Sequence, residues 1–156
     1  MISEEQLSRR YARLYDQIRE LLKRTESRTS RMATIAALLH HKMPHFFWTG
    51  FYLLKQGDLC VGPYQGPLAC QVLKKHQGVC WTGIMERRAV IVADVQKFPG
   101  HQSCDSRSRS EIVVPFINRA RRIAGVLDVD SRELDAFSSV DQEWLEKIAR
   151  LISDPS

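Results

Sequence analysis

No run of roughly 18 to 20 uninterrupted apolar residues occurs in this chain of 156 residues; charged residues or turn formers break every apolar stretch, so nothing reads as a membrane span. The amino terminus, Met-Ile-Ser-Glu-Glu, lacks the basic-then-apolar pattern of a secretory leader, and the expectation is a cytoplasmic chain in a reducing compartment. Glycine and proline number only 8 and 6, and repeats and low-complexity tracts are absent, which excludes collagen-like and disordered classes. Metal-binding spacing is missing too. Cys60, Cys70, Cys80 and Cys104 match neither a Cys-x-x-Cys motif nor a zinc ribbon, and the one His-x-x-Cys pair, His101 with Cys104, supplies only two ligands, so no bound metal is expected.

What is present suits one soluble domain: 44% apolar and 26% charged residues over a length typical of a single core. The net charge of +5 is uneven, with nine Lys or Arg against five Asp or Glu in residues 1–42. A solvated basic helix face accounts for that excess, no nucleic-acid motif accompanies it, and no nucleic-acid partner is expected.

Leu7, Tyr11, Leu14, Ile18, Leu21 and Leu22 fall at helical spacing, with Ser3 and Gln6 as a capping box. The first helix is therefore amphipathic, able to pack on its own sheet or on a second copy in a homodimer. Met32, Ile35, Ala36 and Leu39 predict a second helix ending near Lys42, before Pro44. Phe46–Leu54 and Leu59–Tyr64 flank Gln56-Gly57-Asp58 as a hairpin. The Gly- and Pro-rich segment 62–70 reads as a shaped loop leading to a short strand, and Gly78 opens a short helix ending near Arg88. Strands are predicted at Ala89–Val95, Glu111–Asn118 and Gly125–Asp130, with a long connection 96–110 of the kind that is often functional. Val140–Ile152 closes the chain as a helix presenting Val140, Trp144, Ile148 and Leu151, capped by Ser139 with Gln142. The expectation is an α+β fold: a mainly antiparallel central sheet flanked by N- and C-terminal helices. Residues 1–42 form its helical part, and 46–152 supply the sheet, catalytic loops and last helix.

Cys60, between Leu59 and Val61, reads as a small buried apolar residue. Cys104 sits in the polar loop Pro-Gly-His-Gln-Ser-Cys-Asp, where His101 and Arg107 are positioned to lower its pKa and make it a nucleophile. Period-two alternation sends Asp128 and Asp130 to one face of their strand and Leu127 and Val129 to the other; the bland alternative is an edge strand with a solvated face. Glu111, at the start of the preceding strand, is placed to reach the same cleft.

Six strings, WTGFYLL at 48–54, GPYQGPLAC at 62–70, GVC at 78–80, FPGH at 98–101, CDSRSRSEIVVP at 104–115 and GVLDVDS at 125–131, together resemble the free methionine-(R)-sulfoxide reductases, a family built on the GAF fold. The resemblance spans roughly residues 30–152 and keeps all three family cysteines. It implies a single GAF domain in which Cys104 attacks the sulfoxide, while Cys70 or Cys80 resolves the resulting sulfenic acid as a disulfide. It further implies that Trp48 and Tyr52 supply the aromatic pocket, that Glu111, Asp128 and Asp130 hold the free methionine sulfoxide, and that thioredoxin, as external dithiol, recycles an enzyme carrying no bound cofactor. Two departures stand out: Trp81 follows Cys80 where the family usually has Gly, and Gln102-Ser103 precede Cys104 where it commonly has Ile-Ala. The competing readings are a non-catalytic GAF module sensing a small ligand, for which the bulky Trp81 is the argument, and a thiol peroxidase, which has little use for an acidic cluster.

Overall fold

In the computed structural model, which describes residues 2–156, five strands form one antiparallel sheet in the order β2-β1-β5-β4-β3. Helices α1 (Glu4–Leu22) and α2 (Arg28–Lys42) lead into β1 (Trp48–Lys55) and β2 (Asp58–Gln65). Helix α3 (Gly78–Glu86), β3 (Val90–Val92), β4 (Ser110–Ile117), β5 (Ile123–Ser131) and α4 (Ser139–Arg150) follow. No helix among the described residues is long and apolar enough to cross a membrane.

The period-two side-chain alternation gives the sheet two unlike faces. One, carrying Phe51, Ile112, Val114, Leu127 and Val129, packs into a core with α1, α2 and α4. The other, carrying Trp48, Tyr52, Val113 and Val126, meets α3 and the loops around it. Strand β5 lies in the middle of the sheet, paired on both sides, so the solvated edge-strand alternative for Asp128 and Asp130 is wrong. Periodicity gives the face on which a residue lies; the order of strands decides whether that face is wet.

Helix α1 starts at the expected Ser3–Gln6 capping box. Its apolar stripe, Tyr11, Leu14, Ile18 and Leu22, is buried within the same chain alongside α2 and α4, so that stripe is not free to face a second copy. The last helix is capped one residue earlier than expected, by Ser138 reciprocally with Asp141, because this register turns Leu145, Ile148 and Ala149 into the core and leaves Val140 and Trp144 only half-buried. The Gly- and Pro-rich segment is strand as far as Gln65: Pro63 is tolerated because β2 is an edge strand. The short strand expected after it is a single bridge, Cys60 to Val72, and Cys60 is half-buried rather than a core residue. Strand β3 stops at Val92, where a 3-10 turn at Val95–Lys97, capped by Asp94, takes over.

Helices α1 and α4 are joined through one buried carboxylate. Asp141 accepts from the Tyr11 hydroxyl at 2.5 Å, pairs with His45 Nε2 at 3.0 Å, and receives the Ser138 backbone N–H at 2.9 Å. Burial opposes its ionisation, but these partners prevail and hold its pKa below the usual carboxylate value. A depressed carboxylate pKa contributes stability above the unfolded value, near pH 4, and that contribution is lost as pH falls through the folded value. Tyr11→Phe is expected to cost about 2 kcal/mol of unfolding free energy at pH 7, and Asp141→Asn to flatten the loss of stability between about pH 5 and pH 2, both read from urea midpoints.

Candidate active site

Strand β1 places Trp48, Gly50 and Tyr52 on the α3-facing side of the sheet, opposite Asp130, Asp128 and Val126 of β5 in register. Strand β4 adds Glu111 beside Asp130 and Val113 beside Asp128. Gly50 is required here: a Cβ would lie 2.3 Å from Tyr64 Cβ and 2.8 Å from Trp48 Cη2. The rings of Tyr52, Trp48 and Tyr64 form a stack, with centroids 5.7 and 5.2 Å apart. Gly83 lets α3 approach β4, since a Cβ would meet Val113 at 2.9 Å, and this brings Cys80 down onto the carboxyl groups.

The result is a cavity of about 60 Å³, room for about four to six waters. Every residue assigned to the site on sequence lines it: Trp48, Tyr52, Cys80, Cys104, Glu111, Asp128 and Asp130, with one exception. Cys70 is not part of the wall; it is bonded to Cys104 at the mouth, with Cα atoms 5.4 Å apart. Its loop contributes Pro67, Leu68 and Ala69 to the lining. Sequence reasoning gave no site role to these three, nor to Gln77, Gln102, Asp105 and Ser108; the shaped loop 62–70 and the long connection 96–110 point to the segments of all but Gln77, and loop packing selects the individual residues. Trp81 does not enter the lining: it is buried beside the pocket, edge-on to His76 at 5.0 Å. The bulk that favoured a sensor module is therefore directed elsewhere.

The loops are held together across the mouth. Gln102 Oε1 accepts the Lys74 backbone N–H at 2.6 Å, and Tyr52 donates to the Cys70 carbonyl at 3.1 Å. Gln102, one of the departures from the family pattern, thus joins the Cys104 loop to the segment that follows Cys70. Helix α3 begins with no side-chain cap on Gln77, and the residues of its first turn line the cavity.

At the floor, Cys80 Sγ donates to Glu111 Oε2 at 4.0 Å, and Cys80, Glu111 and Asp128 each offer an atom within 4.8 Å of the others. All three are at most 5% exposed. Burial, then the charges of Asp128 and Asp130, push the Glu111 pKa well above the carboxylate range. Burial likewise raises Asp128, partly offset by hydrogen bonding from Glu111 and Cys80, and raises Asp130, helped by the charges of Asp128 and Asp105. The Cys80 thiol rises too, by burial and then the neighbouring carboxylates. The cluster is built to retain protons, and Asp128 Oδ1 is buried without a hydrogen-bond partner.

Of the two residues expected to activate Cys104, Arg107 is engaged elsewhere and His101 lines the cavity beside it. Arg107 is committed to Asp105 at 2.7 Å, which pulls the Asp105 pKa to about 2, while its guanidinium lies over the Phe47 ring. Burial lowers the pKa of His101, favouring the neutral ring.

A family model described as GAF domain matches residues 13–154, which fixes the class: this is a GAF domain with a thiol pair at the mouth of an acidic pocket. Among relatives, "GAF domain-containing protein A" of Dictyostelium discoideum is 40% identical over 154 residues, 98% of this chain and 96% of that protein. The free methionine-R-sulfoxide reductase of Escherichia coli is 39% identical over 123 residues, 77% of this chain and 74% of its own length. The structure of free methionine-R-sulfoxide reductase from Neisseria meningitidis in complex with its substrate superposes with a TM-score of 0.88 at 35% identity, covering 93% of this chain and 87% of that one. The chain belongs to the free methionine-R-sulfoxide reductase family of GAF domains.

Carboxyl groups whose folded pKa is raised keep protons that the unfolded chain releases, so their contribution is fully present below about pH 4 and declines as pH rises toward the folded values. Glu111→Gln is therefore expected to be more stable than the wild type at pH 8 by on the order of 1 kcal/mol, with the difference closing toward pH 4, as read from urea midpoints across that range.

Proposed function

We propose that this chain reduces free L-methionine-(R)-S-oxide to L-methionine, with Cys104 as nucleophile and Cys70 as its resolving partner. The observation that carries the reading is the Cys70–Cys104 bond at the mouth of a pocket whose floor is a proton-retaining carboxyl cluster. A sulfoxide sulfur accepts a thiolate only if its oxygen is protonated as the S–O bond weakens. Cys104 sulfur attacks, and Glu111 or its partners in the cluster deliver the proton. The sulfoxide S–O bond breaks as the protonated oxygen passes to the Cys104 sulfur, so methionine departs and Cys104 is left as a sulfenic acid. The Cys70 thiol then attacks that sulfur and water leaves. One sulfoxide and two thiols become methionine, one disulfide and one water.

Cys80 is the weaker candidate for resolution, being buried, held at Glu111 and kept as a thiol by its surroundings. Its place is in the acid cluster. The carboxyl groups divide their roles: Asp128, with its unpaired Oδ1, suits the substrate ammonium, and Glu111 suits the donated proton. The uncapped first turn of α3 offers backbone N–H groups to the substrate carboxylate, and the Trp48–Tyr52 stack gives an apolar wall for the methyl group. Cys104 is exposed at the surface, where an external dithiol such as thioredoxin reopens the bond by thiol exchange. That chemistry belongs to a reducing, cytoplasmic setting. A homodimer, if formed, uses a surface other than the α1 stripe.

Incubation with racemic free methionine sulfoxide and excess dithiol, followed by chiral separation, is expected to consume the R isomer alone; survival of both isomers with folded, reduced protein defeats the proposal. Cys104→Ser is expected to lose even a single turnover. Cys70→Ser is expected to release one equivalent of methionine and to accumulate a sulfenic acid on Cys104 that a dimedone probe labels.

A further inference from the structure

The floor of the pocket gathers more carboxyl groups than one substrate ammonium can pair with. Asp105, Glu111, Asp128 and Asp130 line the cavity with Cys80, and among the described residues no Lys or Arg does. Cys80, Glu111 and Asp128 converge, each offering one donor atom, with these atoms all within 4.8 Å of one another. They come from α3, β4 and β5, elements fixed by the core. The Asp128 Oδ1 atom, in a residue only 5% exposed, has no hydrogen-bond partner and is free to take a ligand.

A tetrahedral zinc ion with bonds of about 2.3 Å to sulfur and 2.0–2.2 Å to carboxylate oxygen holds neighbouring donors roughly 3.3–3.7 Å apart. The Cys80–Glu111 separation is already 4.0 Å, and side-chain adjustments of about 1 Å bring all three donors to that spacing. A thiolate among the donors selects a zinc-class ion over magnesium or calcium, which take oxygen ligands.

We propose that Cys80, Glu111 and Asp128 form a binding site for a zinc-class divalent cation, with three protein ligands and a fourth position open to the pocket, and that the bound ion excludes substrate. Binding releases the Cys80 thiol proton, and any proton on the carboxyl groups, to solvent, with nothing oxidised or reduced. The ion and the substrate ammonium compete for Asp128. The exclusion of substrate rests on the reductase reading; the metal site does not.

The test uses the disulfide form of the Cys60→Ser protein, in which Cys80 is the only free thiol. Cobalt(II), as the spectroscopic probe, is expected to give a thiolate-to-cobalt charge-transfer band at one equivalent, which zinc(II) abolishes by displacement. Asp128→Asn is expected to weaken cobalt binding about a hundredfold, and Cys80→Ser to lose the band while keeping a wild-type circular dichroism spectrum. No band with folded protein, or a band that survives Cys80→Ser, overturns the site. With protein shown active in the chiral assay, saturating (R)-sulfoxide is expected to bleach the band, and a band indifferent to it overturns the exclusion of substrate. A cobalt band in protein inactive toward the sulfoxide leaves the metal site standing and removes the reductase reading, whereas activity without a band does the reverse.

Discussion

Glu111 and Asp128 are buried diagonally across from each other on adjacent strands inside the sheet, with no Lys or Arg in the pocket wall among the described residues. An isolated carboxylate does not survive in such a place; the group keeps its proton, gains a partner or waits for a ligand. Much of the molecule follows from that constraint. Both strands must be flanked to exclude water, which β1 and β3 do within the sheet, and the apolar layer of Phe51, Ile112, Leu127 and Val129 on the opposite face offsets the cost of burying the acids. Carboxyl groups held above their usual pKa by burial work against stability as pH rises to neutrality.

The second requirement is that two loops meet over this floor. Cys104 belongs to the connection between the 3-10 turn and β4, and Cys70 to the segment between β2 and α3. Neither position is fixed by regular secondary structure. They converge because Gln102 accepts from Lys74, Tyr52 holds the Cys70 carbonyl, and Gly100 lies against Gly78 at the start of α3. The aromatic stack beneath them is compatible with the backbone only because residue 50 has no side chain. The same sheet that buries the acids therefore also sets the height at which the thiol pair stands above them.

The contrast between the two ends of the chain and its middle shows where local rules are enough. The capping box at Ser3 holds as expected, because it involves residues three apart and needs no other element. The last helix is shifted by one residue because Asp141 has a second task, receiving Tyr11 and His45 from distant parts of the chain. Arg107, placed by sequence beside a reactive thiol, is taken by Asp105 instead, while His101 lines the cavity with Cys104 as a ring whose protonation burial disfavours. Proximity along the chain gives a list of available charges without saying which are already spent.

Sequence by itself determined the α+β class, the alternation that puts Asp128 and Asp130 on one face, and, through the family strings, the residues Trp48, Tyr52, Cys80, Cys104, Glu111, Asp128 and Asp130 that line the pocket. Those properties are local: a period of two, a cap, a short motif. Only the tertiary structure decided that the acid-bearing strand is central and not an edge, that Cys70 rather than Cys80 meets Cys104, that Trp81 turns away from the cavity, and that Cys80, Glu111 and Asp128 form one cluster. Each of these depends on strand order or loop packing between residues far apart in the chain, and the free energy that fixes such contacts comes from burying a shared core that no short window of sequence contains.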